Sequence, residues 1–321
     1  MLIKYLNPDN VKRSGLSPRK VAQAATKLLR LTYQWRYYDP DLQSKVFVDN
    51  LKKRIINGQS LPFLAMAGKK IVASSFLELD GWGRAELAKS VVHENYRQTN
   101  VGKKLMRMRL PYIKRRLNLD LAYVKIRMVN PAAAAITLGQ GFVPVALWFE
   151  NPVRDLRGGI SYREPILFAE YYLGKVYEAP EIFAVSEGLP WIDYVEKLVG
   201  SLPAYSARHE ILSKYSFDDK NAVHYFTNHL PDDTFTAKAE EETVLLFDVS
   251  RDTLALQIAA RNKGFAVSGY LPPTERRPPR IIFTKGASPV VPAVFPAGNY
   301  GFLAESLPLL IKERPIISSG P

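Results

Sequence analysis

The feature that most narrows the fold is the stretch Ala85 to Lys104, AELAKSVVHENYRQTNVGKK. It opens as an apolar-rich run with Leu87, Ala88, Val91 and Val92, passes through a polar turn, and reaches Gly102 at the mouth of a strongly basic helix. A strand that feeds a helix through a small-residue loop gathers free backbone N–H groups and the positive end of a helix dipole at one point. Such a point suits an anion such as a pyrophosphate. The helix after Gly102 carries Lys103, Lys104, Arg107, Arg109, Lys114, Arg115 and Arg116. Lys103 and Lys104 stand in its first turn, where cations oppose the dipole, so either an anion lies nearby or the run is a solvated basic face. Val101, Leu105, Met108 and Tyr112 form the expected core stripe. Pro111 is expected to kink the helix.

A second block follows about thirty residues on: Asn130-Pro131-Ala132-Ala133, then Ile136-Thr137, then Gly141-Phe142. Together the two blocks resemble the GNAT N-acetyltransferase superfamily, over roughly residues 1 to 165. Its acyl-coenzyme A segment reads Arg or Gln, two residues, Gly, one residue, then Gly or Ala. Those places are Arg97, Asn100 and Gly102 here. Asparagine replaces the first glycine, and it is the side chain that best tolerates positive φ.

The resemblance implies an α/β fold, a mixed central sheet flanked by helices, and acyl-coenzyme A as a substrate. The loop Arg97, Gln98, Thr99, Asn100, Val101, Gly102 and Lys103 would bind the cofactor's phosphates. In the superfamily two adjacent parallel strands splay and the pantetheine arm inserts between them. Ser90 and Val92 would then offer backbone groups and Asn130 its side chain. Thr137 takes the place of a tyrosine that commonly protonates the departing thiolate. Glu86 lies eleven residues before Arg97, where several members carry a general base. The residues alone leave open that Glu86 is simply a polar residue on the solvent side of a strand.

At 321 residues the chain is long for one domain and comfortable for two. The turn-rich segment 150–164 places the boundary, giving residues 1–160 and 161–321. Charge follows that division: residues 1–165 hold 29 Lys+Arg against 12 Asp+Glu, and the remainder 15 against 19. A basic half must attract an anion, and coenzyme A, an acidic acyl carrier protein and nucleic acid all qualify. Nucleic acid rests on charge alone, because no aromatic-interleaved basic motif accompanies it. The chain has no cysteine, which excludes disulfides and thiolate chemistry. His93, His209, His224 and His229 form no metal-binding pair, so no metal is expected. No apolar run approaches the ~18 residues of a membrane span, and the N-terminus lacks a signal-like hydrophobic region, so a cytoplasmic protein is expected.

Further elements read in order. Leu2–Leu6 forms a strand, interrupted at Pro8, and Ser17-Pro18 starts a helix with Val21, Ala24, Ala25, Leu28, Leu29 and Leu31 at helical spacing. A second helix spans Leu42 to Ile56 with Val46, Phe47, Val48 and Leu51 inward. Tyr33, Trp35, Tyr37 and Tyr38 are core aromatics or, as the resemblance implies for the segment joining these helices, border an acceptor pocket. Strands follow at 63–67, 71–79, 85–92, 121–129 and 143–148, then at 166–173 and 181–185, with a helix at 191–199. Val244–Val249, a helix to Lys263, Gly264-Phe265 and Ala266–Leu271 then echo the order of residues 125–148, as a degenerate second GNAT-like unit would. Seven prolines between Pro272 and Pro296 mark a loop-rich passage, and Phe302–Lys312 reads as a closing helix.

Two functions from different classes follow. One is an acyltransferase moving an acetyl or acyl group from acyl-coenzyme A to an amine, with an acyl carrier protein as a variant partner. The other is a catalytically degenerate module that binds acyl-coenzyme A or scaffolds a partner.

Overall fold

The computed structural model describes residues 2–33, 40–81, 83–128, 131–149, 153–154, 161–162, 165–177, 184, 186–200, 205–206, 223–226, 244–249, 253–262, 264–274 and 277–285. Contacts divide the chain into one unit of residues 1–125 with 153–161 and another of 126–152 with 162–321.

In the first unit, β1 (Ile3–Leu6), β2 (Ser60–Ala67), β3 (Lys70–Leu79) and β4 (Arg84–Val92) form an antiparallel meander. β5 (Leu121–Arg127) then pairs with β4 in parallel. β3 is buried along nearly its whole length, because helices cover both faces of the sheet. Leu64, Phe76 and Val91 face α1 (Pro8–Arg13), α2 (Pro18–Tyr33) and α3 (Lys45–Ile56), packing with Val21, Ala25, Leu29, Phe47 and Leu51. On the other face the Phe63 ring meets Tyr112 of α4 (Val101–Arg116) edge-on at 5.4 Å.

Several local expectations need correction. Pro8 does not break the chain but opens α1, where Asn7 caps the helix by accepting the Asn10 N–H at 2.9 Å. Proline at a first helical position loses nothing, since that N–H has no helical partner. The second helix begins at Lys45 after a short 3-10 turn (Pro40–Gln43), and Val46 points outward with 51% exposure. Leu31 also faces outward. The largest difference is the rotation of α4. Its buried face is Val101, Leu105, Met106, Arg109, Leu110 and Ile113, with Met108 and Tyr112 at the margin. The sequence offers two apolar stripes, and the one containing an arginine is the one that turns inward. The helix continues through Pro111 to Arg116.

Arg109 is 1% exposed. Its Nη1 donates to the Phe76 carbonyl at 3.4 Å and its Nη2 approaches the Met106 sulfur at 3.0 Å, while Nε has no partner among the described residues. Burial pushes the guanidinium pKa down to about 9.

The second unit contains the end of β5, where the Met128 N–H donates to the Pro165 carbonyl at 2.9 Å. It continues through α5 (Pro131–Leu138), β6 (Val143–Phe149), β7 (Pro165–Tyr172), α6 (Leu189–Val199), β8 (Val223–Phe226), β9 (Val244–Asp248), α7 (Leu254–Asn262), β10 (Phe265–Leu271) and β11 (Arg280–Lys285). Its strands lie in the order β7-β6-β10-β11-β9-β8. The chain order strand, helix, strand, strand occurs twice, as β5 end–α5–β6–β7 and as β9–α7–β10–β11. In each case the last strand lies beside the first and next to the third. The two triplets meet antiparallel at Ala146 and Gly269.

That meeting explains the glycine. A Cβ on Gly269 would lie 2.3 Å from the Ala146 Cβ and 2.5 Å from the Val145 carbonyl oxygen. In the same unit, Arg277 grips Glu170 of β7 with both guanidinium arms, Nη1–Oε1 at 2.5 Å and Nη2–Oε2 at 2.8 Å. Tyr172 donates to the same carboxylate at 2.8 Å. The expected strand at 181–185 and the closing helix at 302–312 fall wholly or mainly outside the described residues.

Two stability outcomes follow from these contacts. Gly269→Ala should destabilise the chain by about 1–3 kcal/mol through overpacking, measured by urea unfolding. Arg109→Met, by replacing a buried cation that has no carboxylate partner among the described residues, should raise stability by about 1–3 kcal/mol in the same assay.

Candidate functional site

The first unit's sheet is not continuous between β4 and β5. The two strands pair at Arg84–Leu121, Ala85–Ala122 and Glu86–Tyr123, and among the described residues no rung follows. Leu87 to Val92 therefore run on without a β5 rung among the described residues, and the two strands part above Glu86 and Tyr123.

Glu86 and Tyr123 form the closed end of that opening. Glu86 is half-buried and Tyr123 is buried. Burial raises the Tyr123 phenol well above its usual range, and the nearby Glu86 carboxylate pushes it the same way, so it stays protonated. The Arg84 guanidinium lies over the Tyr123 ring at 5.5 Å and pairs with Asp80 at 2.6 Å.

The upper part of β4 carries a bulge. Ser74 pairs with Val91 but Phe76 pairs with Ala88, so β4 spends three residues where β3 spends two. Lys89 sits there with φ of 50°. A left-handed backbone costs a residue with a side chain about 1–2 kcal/mol. Ser90 is exposed and its Oγ lies 2.8 Å from that of Ser75, while Val92 is half-buried.

Beyond β4 the chain turns tightly. His93 accepts the Asn95 N–H, Arg97 N–H returns to the Glu94 carbonyl at 3.0 Å, and Thr99 Oγ donates to the Tyr96 carbonyl at 2.6 Å. Gln98 and Asn100 both adopt positive φ, 64° and 62°. Asn100 thus takes the conformation anticipated from its type, and its side chain does not cap α4. The first-turn amides of Val101, Gly102 and Lys103 therefore have no side-chain cap from it. A Cβ on Gly102 would meet only Val92 Cγ2, at 3.5 Å, an ordinary contact. Packing does not require glycine there. Gln98, Thr99, Asn100 and Lys103 are exposed, whereas the Val101 side chain is buried in the core. Arg97 reaches back, with Nε 3.4 Å from the Val92 carbonyl and Nη2 3.5 Å from Thr32 Oγ1.

Thr137 is on α5 in the other unit and is 2% exposed. Asn130, Trp35, Tyr37 and Tyr38 lie outside the described residues. Tyr33 packs partly buried against the helical core. Sequence reasoning missed Tyr123, Lys89 and Glu78. The signal for Tyr123 was its place opposite Glu86 once the parallel register is fixed; Lys89 and Glu78 are visible only through the bulge. Among the described residues no cluster of metal-binding side chains occurs, and no helix is long and apolar enough to cross a membrane.

Residues 23–142 match the family model described as Acetyltransferase (GNAT) family. This part of the chain is a GNAT acetyltransferase domain.

Solved structures similar to the chain include a GNAT-family acetyltransferase from Streptococcus pneumoniae, 15% identical, with a TM-score of 0.41 and coverage of 54% of this chain and 100% of that one. The ribosomal-protein-S18-alanine N-acetyltransferase of Escherichia coli is 16% identical, with a TM-score of 0.38 and coverage of 54% and 94%. A spermidine N-acetyltransferase variant from Vibrio cholerae is 15% identical, with a TM-score of 0.40 and coverage of 54% and 95%. No curated protein sequence matches the chain.

The loop geometry can be tested without a ligand. Asn100→Val, which places a β-branched side chain at positive φ, should destabilise the protein by about 1–2 kcal/mol, whereas Asn100→Gly should change its unfolding midpoint little.

Proposed function

We propose that the chain transfers an acetyl or acyl group from acyl-coenzyme A to an amine. The observation that carries this reading is the opening above the Glu86–Tyr123 rung, which leads toward a helix start without a side-chain cap. A parallel pairing that stops suits the amide-bearing pantetheine arm, which hydrogen-bonds as an added strand would. The amides of Val101, Gly102 and Lys103 suit the diphosphate, with Arg97, Gln98, Thr99 and Asn100 around it. Ser90 and Val92 line the β4 side, and Asn130 is assigned to the arm by the GNAT motif. The acyl-coenzyme A domain is taken to end near residue 160, with residues 161–321 as a separate α+β domain.

The thioester carbonyl comes to lie along upper β4, where the backbone near Val92 polarises it. An amine attacks that carbon. Glu86, at the closed end of the opening, accepts a proton from the ammonium directly or through a water. The carbon–sulfur bond then breaks, and Thr137 or a water gives the thiolate its proton. An aliphatic hydroxyl is a weak acid for this step, and Thr137 is buried, which favours the water. The basic first unit also fits an acidic acyl carrier protein as an alternative donor, and a cytoplasmic setting goes with either donor.

A second reading, acyl-coenzyme A binding without turnover, is supported by Asn100 and Thr137 standing at two positions where the motif has glycine and tyrosine. Calorimetry with acetyl-coenzyme A, combined with free-thiol release on a panel of amines, separates the two. Binding with turnover supports the first, and binding without it the second.

Two substitutions sharpen the first reading. Gly102→Ala should leave the fold as stable or raise it by about 0.5–1 kcal/mol, as expected in a helix. The same change should weaken acetyl-coenzyme A binding by about tenfold or more, because the new methyl group crowds the phosphate. Glu86→Gln should lower kcat by about 10²–10⁴-fold while binding is retained. Unchanged turnover would remove Glu86 from the mechanism.

A further inference from the structure

We infer that Glu78 is a positioning residue that, through Lys89, holds the β4 bulge and with it the face of the sheet on which Glu86 stands. The inference rests on the acyltransferase reading for its functional consequence, but not for its structural one.

Glu78 is 6% exposed, and three elements converge on it. Ser60, at the start of β2, donates to Oε1 at 2.8 Å, and Lys89 Nζ lies 2.8 Å from the same oxygen. Arg54, from the last turn of α3, lies 2.7 Å from Oε2. Ser60, Glu78 and Glu86 form one row across β2, β3 and β4. Residues paired in such a row point to the same face, so two carboxylates stand as neighbours on adjacent strands. Like charges in that arrangement repel. Lys89 and Arg54 offset the repulsion by neutralising Glu78.

Lys89 is also the residue at the bulge with a left-handed backbone. Glycine would take that conformation without strain. A lysine there is explained by its ammonium, which lies against a buried carboxylate. The ion pair and the backbone conformation therefore form one device, each holding the other in place.

The bulge sets the phase of the strand. Below it Glu86 and Ala88 share the face of Glu78 and Phe76, and above it Val91 shares the face of Ser74. Side chains alternate with a period of two, so removing the extra residue turns one half of β4 over. Val91 is fixed in the helical core with Phe76 and Leu29. The half that must turn is the one carrying Glu86. Arg109 meets the same place from the other side of the sheet, through the Phe76 carbonyl.

The test compares four full-length variants: Glu78→Gln, Lys89→Met, Lys89→Gly and the double variant Glu78→Gln with Lys89→Gly. Amide exchange across residues 84–92 should speed up by about tenfold in Glu78→Gln and in Lys89→Met, because the bulge loosens. Acyl-transfer turnover should fall by about tenfold or more in those two, with the acetyl-coenzyme A KM changed by less than about threefold. Lys89→Gly should lose clearly less than Lys89→Met, and the double variant should regain slow exchange and turnover relative to Glu78→Gln. A crystal structure of Glu78→Gln with the bulge unchanged overturns the inference, as does a double variant no better than Glu78→Gln. Should Glu78→Gln not fold, the contrast between Lys89→Met and Lys89→Gly decides the matter, and equal behaviour of those two overturns the inference. Absent turnover in the unaltered protein would count against the acyltransferase reading alone, since the exchange pattern still reports on the bulge.

Discussion

The first unit depends on a parallel pairing that stops. β4 and β5 share three rungs and then part, although both strands continue for several residues. Backbone polar groups inside a folded chain need partners, and a strand interior is where they are normally found. Holding two strands apart is therefore unfavourable unless the surrounding packing fixes each independently. Here it does. β4 is fixed to β3 along its length, and Val91 and Phe76 are locked under α2 and α3. β4 carries a bulge at Lys89, and the row of Ser60, Glu78 and Glu86 lies directly below it.

Much of the first unit was legible because its signals are local. The strands of the meander and the positive φ of Asn100 follow from residue type and spacing, whereas asparagine is itself a favoured helix cap, so the uncapped start of α4 does not. The orientation of α4 was not legible, since its inward stripe includes Arg109 and no periodicity argument prefers an arginine. α1 was missed because Pro8 reads as a breaker until its place at the first helical position is known. Glu78 and Lys89 were invisible for a different reason. Their pairing depends on a one-residue register shift between strands, and no short-range pattern encodes such a shift. Glu86 could be found by its distance from Arg97, but its setting could not. The phenol beside it comes from a strand more than thirty residues away.

The second unit shows a repeated strand order rather than a repeated site. β9–α7–β10–β11 follows the path of β5 end–α5–β6–β7, and the two triplets meet where Gly269 allows close approach. A duplicated closing unit would leave that pattern. The buried Glu170–Arg277 pair lies within it, with Tyr172 completing the carboxylate's hydrogen bonds. The Pro272 carbonyl also accepts from Arg277 Nη2 at 2.9 Å, and such added hydrogen bonds are what make a pair like this tolerable in a core, although Arg277 Nε has no partner among the described residues.

Two of the parallel pairs among the described residues, β4–β5 and β8–β9, differ in the respect that matters for chemistry. β8 and β9 pair at every residue from Val223–Val244 to Phe226–Phe247, whereas β4 and β5 part after three. A fully paired ladder over this span has no free strand groups to offer an inserted arm. A repeated topology thus need not repeat the opening. In the first unit β4 is held by its pairing to β3 and by the helices that lock Val91. The acyl-coenzyme A reading accordingly belongs to β4, β5 and the start of α4, and the shared strand order alone gives no reason to extend it to β8 and β9.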